Sequence, residues 1–222
     1  LGQGLCQGIK DVYNLHWKLD GVIRGKYADR ILETYSDERI SIVKSVTETA
    51  IKHGGVIGTQ NKYIALIRDT LLNMARIFPK LLSFFDFYHP WQIDNGLIDK
   101  SLYPNKANGI VISQPSLDLK VDNKPFDQFI GYSFALIVFD QNEILFNDIK
   151  ALESSKIFEN NIYLIDKDSL FNEDSNFIKW KRDNNISAVI IRPDRHVYGC
   201  CDDESMITKV DELNKKLISE LT

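Results

Sequence analysis

Gly2-Gln3-Gly4 stands at the head of the chain and leads directly into an amphipathic pattern that ends Asn14-Leu15-His16-Trp17-Lys18-Leu19. A glycine pair at a helix start leaves backbone N–H groups uncovered, so an anionic or electron-rich ligand can reach them with no side chain in the way. The chemistry offered is recognition by main chain at the positive end of a helix dipole.

The other reactive side chains form no second constellation. His16, His53, His89 and His196 share no metal-ligand spacing, and the sequence predicts no metal site. His16 falls on an apolar stripe and reads as a structural histidine. Cys6, Cys200 and Cys201 are an odd, sparse set that suits free thiols in a reducing cytoplasm. A bridge between the neighbours Cys200 and Cys201 would be strained. No Cys-x-x-Cys occurs, which argues against thiol-redox chemistry. No Gly-x-Gly-x-x-Gly follows a strand, so a dinucleotide-binding unit is missing from these residues. Asp202-Asp203-Glu204 reads as a helix cap, and Glu33, Glu38 and Arg39 as ion pairs on a solvated helix face. No residue declares itself catalytic.

The elements that must position the glycine pair follow from periodicity. Leu5, Ile9, Val12, His16, Leu19 and Ile23 recur at steps of three and four, which predicts a helix with that stripe inward, stopped by Gly25. A second helix is expected from Ala28 to His53, closed by Gly54-Gly55. A third is expected from Gln60 to Ile77, with Ile64, Ile67, Leu71 and Met74 inside, before Pro79. Phe78 to Trp91 holds Phe84, Phe85, Phe87 and Tyr88, rings for a core or for an aromatic-substrate cavity. Asp94 to Asn108 is polar and reads as a linker.

Beyond it the period changes. Short strands are predicted at Ile110–Ile112, within the apolar run Gly131–Phe139, and at Asn161–Ile165, with helices at Glu143–Leu152 and Asn176–Arg182. Ser187–Arg192 and His196–Gly199 form a hairpin around Pro193-Asp194. Met206, Val210, Leu213, Leu217 and Leu221 mark a last helix over 202–221. This strand, helix, strand, helix, hairpin, helix order is an α/β layout resembling thioredoxin. The expected organisation is a helical part (1–93), a linker (94–108) and a thioredoxin-like domain (109–222).

Composition bounds the function classes. The chain has 222 residues, 44% hydrophobic and 26% charged, with a net charge of −4. A core can be buried, and nothing draws the chain as a whole to nucleic acid or to an anionic membrane. No apolar run approaches the roughly 20 residues that cross a bilayer. The chain begins at Leu1, inside a motif, and reads as the back end of a longer protein.

Gly2-Gln3-Gly4-Leu5-Cys6-Gln7-Gly8-Ile9-Lys10-Asp11, then Asn14-Leu15 and Trp17-Lys18-Leu19, resembles a stretch late in the FAD domain of single-component flavoprotein aromatic hydroxylases. Leu32-Glu-Thr-Tyr-Ser-Asp-Glu-Arg39 is similar to that family's next helix, and Arg68-Asp69 to an Arg-Asp pair further on. Phe126-x-x-Phe-Ile-Gly131, Phe134-Ala-Leu-Ile137 and Ile191-Arg-Pro-Asp194 resemble its C-terminal thioredoxin-like domain. The likeness is nearest to 3-(3-hydroxyphenyl)propionate hydroxylases.

The resemblance implies an activity. In such enzymes NAD(P)H reduces FAD, and O2 then supplies an oxygen atom to a phenolic ring. It also implies that Gly2, Gln3, Gly4, Leu5 and Cys6 contact the cofactor. The N–H groups of Leu5 and Cys6 would face the flavin carbonyl beside N1, where reduced flavin carries negative charge. It implies that the thioredoxin-like part covers the substrate region and supplies a homodimer contact. The family's Gly-Asp pair for FAD would precede Leu1, so these residues alone should hold FAD weakly and not turn over. The alternative reading is a non-catalytic thioredoxin-like dimerisation or interaction module.

Overall fold

The computed structural model describes residues 4–77, 92–112, 120–121, 124–125, 130–140, 142–158, 161–165 and 176–222. The helical expectation for the first part holds in its outline. α1 spans Gly4–Ile23, a 3-10 turn follows at Asp29–Leu32, and α2 (Glu33–Ile57) and α3 (Lys62–Ile77) complete it. α2 does not stop at Gly54-Gly55. Glycine in a helix interior costs only about 1 kcal/mol, and α2 continues to Gly58, whose N–H donates back to the Gly54 carbonyl.

The predicted apolar stripes of this part do not face inward. Leu5, Ile9, Val12, Leu19 and Ile23 are exposed on α1, as are Ile64, Ile67, Leu71 and Met74 on α3. His16 is exposed as well, so it is not a core histidine. α1 instead buries Gln7, Asn14, Trp17, Lys18 and Gly21. The aromatic run Phe78–Trp91, with Pro79 and His89, lies outside the described residues.

The chain then builds its sheets. β1 (Lys120–Val121) pairs antiparallel with β2 (Lys124–Pro125). The main sheet uses β3 (Ala135–Val138), β4 (Ile162–Leu164), β5 (Ala188–Ile191) and β6 (Val197–Cys201), in the order β4-β3-β5-β6. β3 and β4 run parallel, joined across α4 (Glu143–Ala151) and a 3-10 turn at Glu153–Phe158. The other pairings are antiparallel. α5 (Asn176–Asp183) precedes β5, and α6 (Met206–Leu221) closes the chain. Asn142 caps α4, its side chain accepting from the N–H groups of Ile144 and Leu145.

Continuous burial along β3 and β5 reflects a sheet covered on both faces. One face carries Phe134, Leu136, Val138, Ile190 and Tyr198 against Trp17, Ile149, Phe158 and the inner side of α6. The other carries Ala135, Ile137, Val189, Ile191 and Val197 against Ala107, Ile112, Ile130 and Ile186. A register slip between Ile190 and Ile191 places Tyr198 as the extra residue of β6.

Three further expectations change. Residues 94–108 are irregular, as a linker would be, but are docked. Leu97, Ile98, Asp99, Ala107 and Asn108 are buried, and Asp99 N–H donates to the Tyr198 carbonyl at 2.7 Å. Ile110–Ile112 forms isolated bridges rather than a strand, Ile110 to Gln92 and Val111 to His196. Asp202-Asp203-Glu204 does not cap α6. Ser205 holds the cap position at φ 54 without a side-chain bond, while Asp202 pairs with Lys209. Among the described residues no helix is long and apolar enough to cross a membrane, and no group of side chains could hold a metal ion.

Gly21 marks where α1 meets this core. A Cβ there would come 1.9 Å from the Tyr27 ring. That ring packs edge-on to Trp17 and Phe134. Gly21→Ala is expected to lower the unfolding free energy by about 1–3 kcal/mol. Urea unfolding of the two proteins measures it, and an unchanged midpoint would mean that Tyr27 repacks without cost.

Candidate functional site

Two polar side chains one turn apart on α1, Asn14 and Lys18, point into the protein rather than away from it. Glu38 on α2 meets them. Its Oε2 accepts from Asn14 Nδ2 at 2.6 Å and from Lys18 Nζ at 2.9 Å. Arg192, at the end of β5, lays both arms along the same carboxylate, Nη1 to Oε1 and Nη2 to Oε2, each at 2.8 Å. The other edge of the guanidinium holds Asp194, Nε to Oδ1 at 3.0 Å and Nη2 to Oδ2 at 2.6 Å. Asp194 returns to α1 by accepting from Asn14 Nδ2 at 3.0 Å. Planar, paired hydrogen bonds of this kind are what arginine supplies and lysine cannot.

The cluster is neutral in sum, two cations against two carboxylates, and its side chains are shielded from water. Remaining polar atoms are satisfied. Lys18 also donates to Thr34 Oγ1, Arg192 to the Leu97 carbonyl, and the Leu97 N–H to Glu38. The Arg192 guanidinium lies 5.4 Å from the Trp17 ring centre, a cation over an aromatic face. Gly96 is required where the 92–112 segment crosses Glu38. Its φ is +92, and a Cβ would come 2.3 Å from the Glu38 side chain.

Burial and charge pull on these groups in opposite directions. Burial pushes the Glu38 carboxyl up, but Arg192 and Lys18 outweigh it and hold it at about 2. Burial opposes ionisation of Asp194 too, and Arg192, then His196, keep it well below the usual carboxylate range. Burial, then the charge of Arg192, lowers the Lys18 ammonium to about 8 despite Glu38.

A second grip lies nearer the start of α1. Arg39, next along α2, donates from Nε to Asp11 at 2.6 Å and from Nη2 to the Gln7 side chain at 2.9 Å. Glu38 and Arg39 are therefore buried inter-helix contacts, not the solvated ion pairs expected of them; Glu33 alone of the three is exposed. The sequence held the signal. Gln7, Asp11, Asn14 and Lys18 recur at helical steps, a polar stripe with the same period as the apolar one.

The first turn of α1 presents Gly4, Leu5 and Cys6 to solvent. Nothing lies within 4 Å of where a Cβ would stand on Gly4 or Gly8, and no acidic residue occupies the first turn. That surface fits the electron-rich edge of a flat cofactor such as FAD, which when bound supplies the redox chemistry. Gly2 and Gln3 lie outside the described residues. All three cysteines are free, Cys6 exposed and the other two buried.

A cavity of about 810 Å³ opens beside α1, between Tyr13, Trp17, Tyr27 and Tyr132, with Arg24 and Lys156 at its rim. A smaller one of about 190 Å³ lies over the cluster, lined by Ile9, Lys10, Ile42, Val111 and His196. Burial, then the charge of Arg39, brings the Lys10 ammonium down to about 8.

The folded pKa of Glu38 lies below its usual 4.5, so its contribution is complete above about pH 4.5 and is lost as pH falls through about 2. Glu38→Gln leaves two buried cations facing one carboxylate. It is expected to cost about 3–5 kcal/mol at neutral pH and to flatten the loss of stability between pH 4.5 and 2. Urea unfolding at pH 7, 4 and 2.5 reads both effects, and an acid limb as steep as in the unaltered protein would contradict the assignment.

Comparison with known proteins gives matches in sequence and in fold. A model described as an FAD binding domain matches residues 1–50, and one described as the HcaD C-terminal domain matches residues 109–216. A 3-(3-hydroxy-phenyl)propionate/3-hydroxycinnamic acid hydroxylase of Mycolicibacterium smegmatis is 32% identical over 147 residues, covering 64% of this chain and 26% of that protein. Its counterpart from Mycobacterium sp. (strain JLS) is 27% identical over 220 residues, covering 90% of this chain and 39% of that protein. The chain thus spans well under half the length of either relative. The flavin-dependent monooxygenase PieE, solved with FAD and substrate, shares the fold at a TM-score of 0.58 and 17% identity, over 99% of this chain and 45% of that one. A RebC-10x structure with bound 7-carboxy-K252c shares it at 0.60 and 16% identity, over 99% and 42%. In sequence the chain is similar to part of these two hydroxylases, and in fold to part of the flavin-dependent monooxygenase PieE.

Proposed function

We propose that the chain serves as the C-terminal part of a flavoprotein monooxygenase that hydroxylates a phenolic ring with FAD, NAD(P)H and O2. The observation that carries this reading is an open helix start held by a buried polar stripe, with both matched segments, 1–50 and 109–216, contributing to that hold. Gly2, Gln3, Gly4, Leu5 and Cys6 are the proposed flavin contacts, acting through main-chain N–H groups. A hydroxyphenyl acid is the proposed substrate class, on the strength of the names of the two hydroxylase relatives.

The proposed division is a helical part (1–93), a connection (94–108) and a thioredoxin-like part (109–222). A parallel β3-α4-β4 unit followed by an antiparallel hairpin and a closing helix supports the last of these. Three free cysteines suit a reducing cytoplasm. A second reading, a non-catalytic module that dimerises or binds a partner, is favoured by the exposed apolar residues of α3, Ile64, Leu66, Ile67 and Leu71.

Flavin content decides between them. The full-length gene product is purified beside the 222-residue chain, and the visible spectrum of released cofactor is recorded. The expected result is FAD in the longer protein, little in the shorter, and NAD(P)H oxidation stimulated by a hydroxyphenyl acid. A full-length product without flavin overturns the monooxygenase reading and leaves the interaction module.

A further inference from the structure

We propose that Arg192 and Asp194 are positioning residues for the flavin: acting through Glu38 and Asn14, they set where the first turn of α1 stands. The inference rests on the flavoprotein reading above and gives the C-terminal sheet a part in it that needs no thiol chemistry.

The argument begins with what holds the front half of α1. Leu5, Ile9 and Val12 are 77%, 60% and 67% exposed, and Tyr13 is 41% exposed. No apolar side chain of the first three turns is buried among the described residues. The buried apolar anchor, Trp17, comes later. The front half is therefore placed by polar contacts: Arg39 on Gln7 and Asp11, then Glu38 and Asp194 on Asn14. Apolar packing tolerates sliding, whereas hydrogen bonds to a planar carboxylate fix direction.

The lever is long. Ten residues separate Gly4 from Asn14, about 15 Å along a helix axis. A tilt of about 2° at Asn14 moves the first turn by about 0.5 Å, the tolerance within which a functional geometry must be kept. Asn14, with the Arg39 grip on Gln7 and Asp11, sets that tilt. It joins α1 to α2 through Glu38 and to the β5–β6 turn through Asp194. Arg192 holds both of those carboxylates in one plane, 2.6–3.0 Å from each of their oxygens. A cluster serving stability alone would be replaceable by apolar residues of similar volume at little or no loss. The directional arrangement specifies orientation instead.

The test uses the full-length gene product loaded with flavin. Arg192→Lys keeps the charge and loses the fork. Asn14→Ser leaves all four charges in place and shortens the link to α1. Arg195→Lys is the control, since that buried arginine donates to the Pro193 and Gly131 carbonyls, neither of them on α1. The readouts are the flavin Kd, the flavin midpoint potential and the fraction of NAD(P)H oxidation that yields hydroxylated product, all well below the melting temperature of each variant. R192K and N14S are expected to raise the flavin Kd about tenfold, to shift the potential and to uncouple oxidation from hydroxylation. R195K is expected to lower the melting temperature with flavin parameters unchanged. Flavin parameters that stay at the unaltered protein's values in R192K and N14S overturn the proposal alone, as does an R195K shift of equal size. An unaltered protein without flavin overturns the flavoprotein reading and the proposal together.

Discussion

One carboxylate, Glu38, accepts from four side-chain donor atoms and a backbone N–H that arrive from three separate parts of the chain. α1 sends Asn14 and Lys18, the 92–112 segment sends the Leu97 N–H, β5 sends Arg192, and α2 carries the carboxylate itself. Removing such a group from water costs several kcal/mol, and only near-complete satisfaction of its lone pairs offsets that cost. The constraint explains features that look unrelated. Gly96 has no side chain because Glu38 lies where one would be. Residues 92–112 are docked because the carboxylate needs their N–H. The hairpin turn carries arginine and aspartate because two cations require two anions.

α1 is consequently turned inside out relative to an ordinary surface helix. Its polar stripe is buried, and Leu5, Ile9, Val12, Leu19 and Ile23 of its apolar stripe are exposed among the described residues. Such a helix gains little from hydrophobic burial in its front half and relies on paired charges, whose strength depends on exclusion of water. The relation of the chain to its relatives makes this arrangement intelligible. The hydroxylases it resembles are more than twice as long, and a helix belonging to a larger body can carry apolar residues for surfaces that these residues do not include.

Periodicity located most elements in the sequence and found the buried face of α6, but misjudged the faces of α1 and α3. β3, β4, the β5–β6 hairpin, α4 and α6 were legible because short β-branched runs and three-or-four steps have one reading in a small two-sided sheet. The stripe of α1 was equally regular, yet burial went to the opposite side, since periodicity identifies a helix but not which of two regular stripes meets the protein. Glu38 and Arg39 looked like surface charges for the same reason: their partners lie beyond any local pattern, Arg192 154 residues from Glu38 and Asp11 28 residues from Arg39. Asn14 was the exception. An asparagine in mid-helix is poor in propensity and marks a specific hydrogen bond, and the structure supplies three. The packing of 94–108 was hidden because two of its polar residues turn inward: Asn108 donates to the Asp99 and Tyr103 carbonyls of the same segment, and Asp99 accepts from Lys216 of α6.

The register slip opposite Tyr198 has a consequence for the two neighbouring thiols of β6. Cys201 packs in the face that meets α6, and Cys200 in the face that meets Ile112 and Ile130, where its thiol donates to Asn108. Burial raises both thiols, Cys201 to about 12 and Cys200 further, so neither is reactive while its own layer is closed. Two adjacent atoms of sulfur thereby act as separate tell-tales. A thiol reagent that modifies Cys201 reports the lifting of α6 from the sheet, and one that modifies Cys200 reports the release of the 92–112 segment. Two motions of one small domain are recorded at consecutive positions of a single strand.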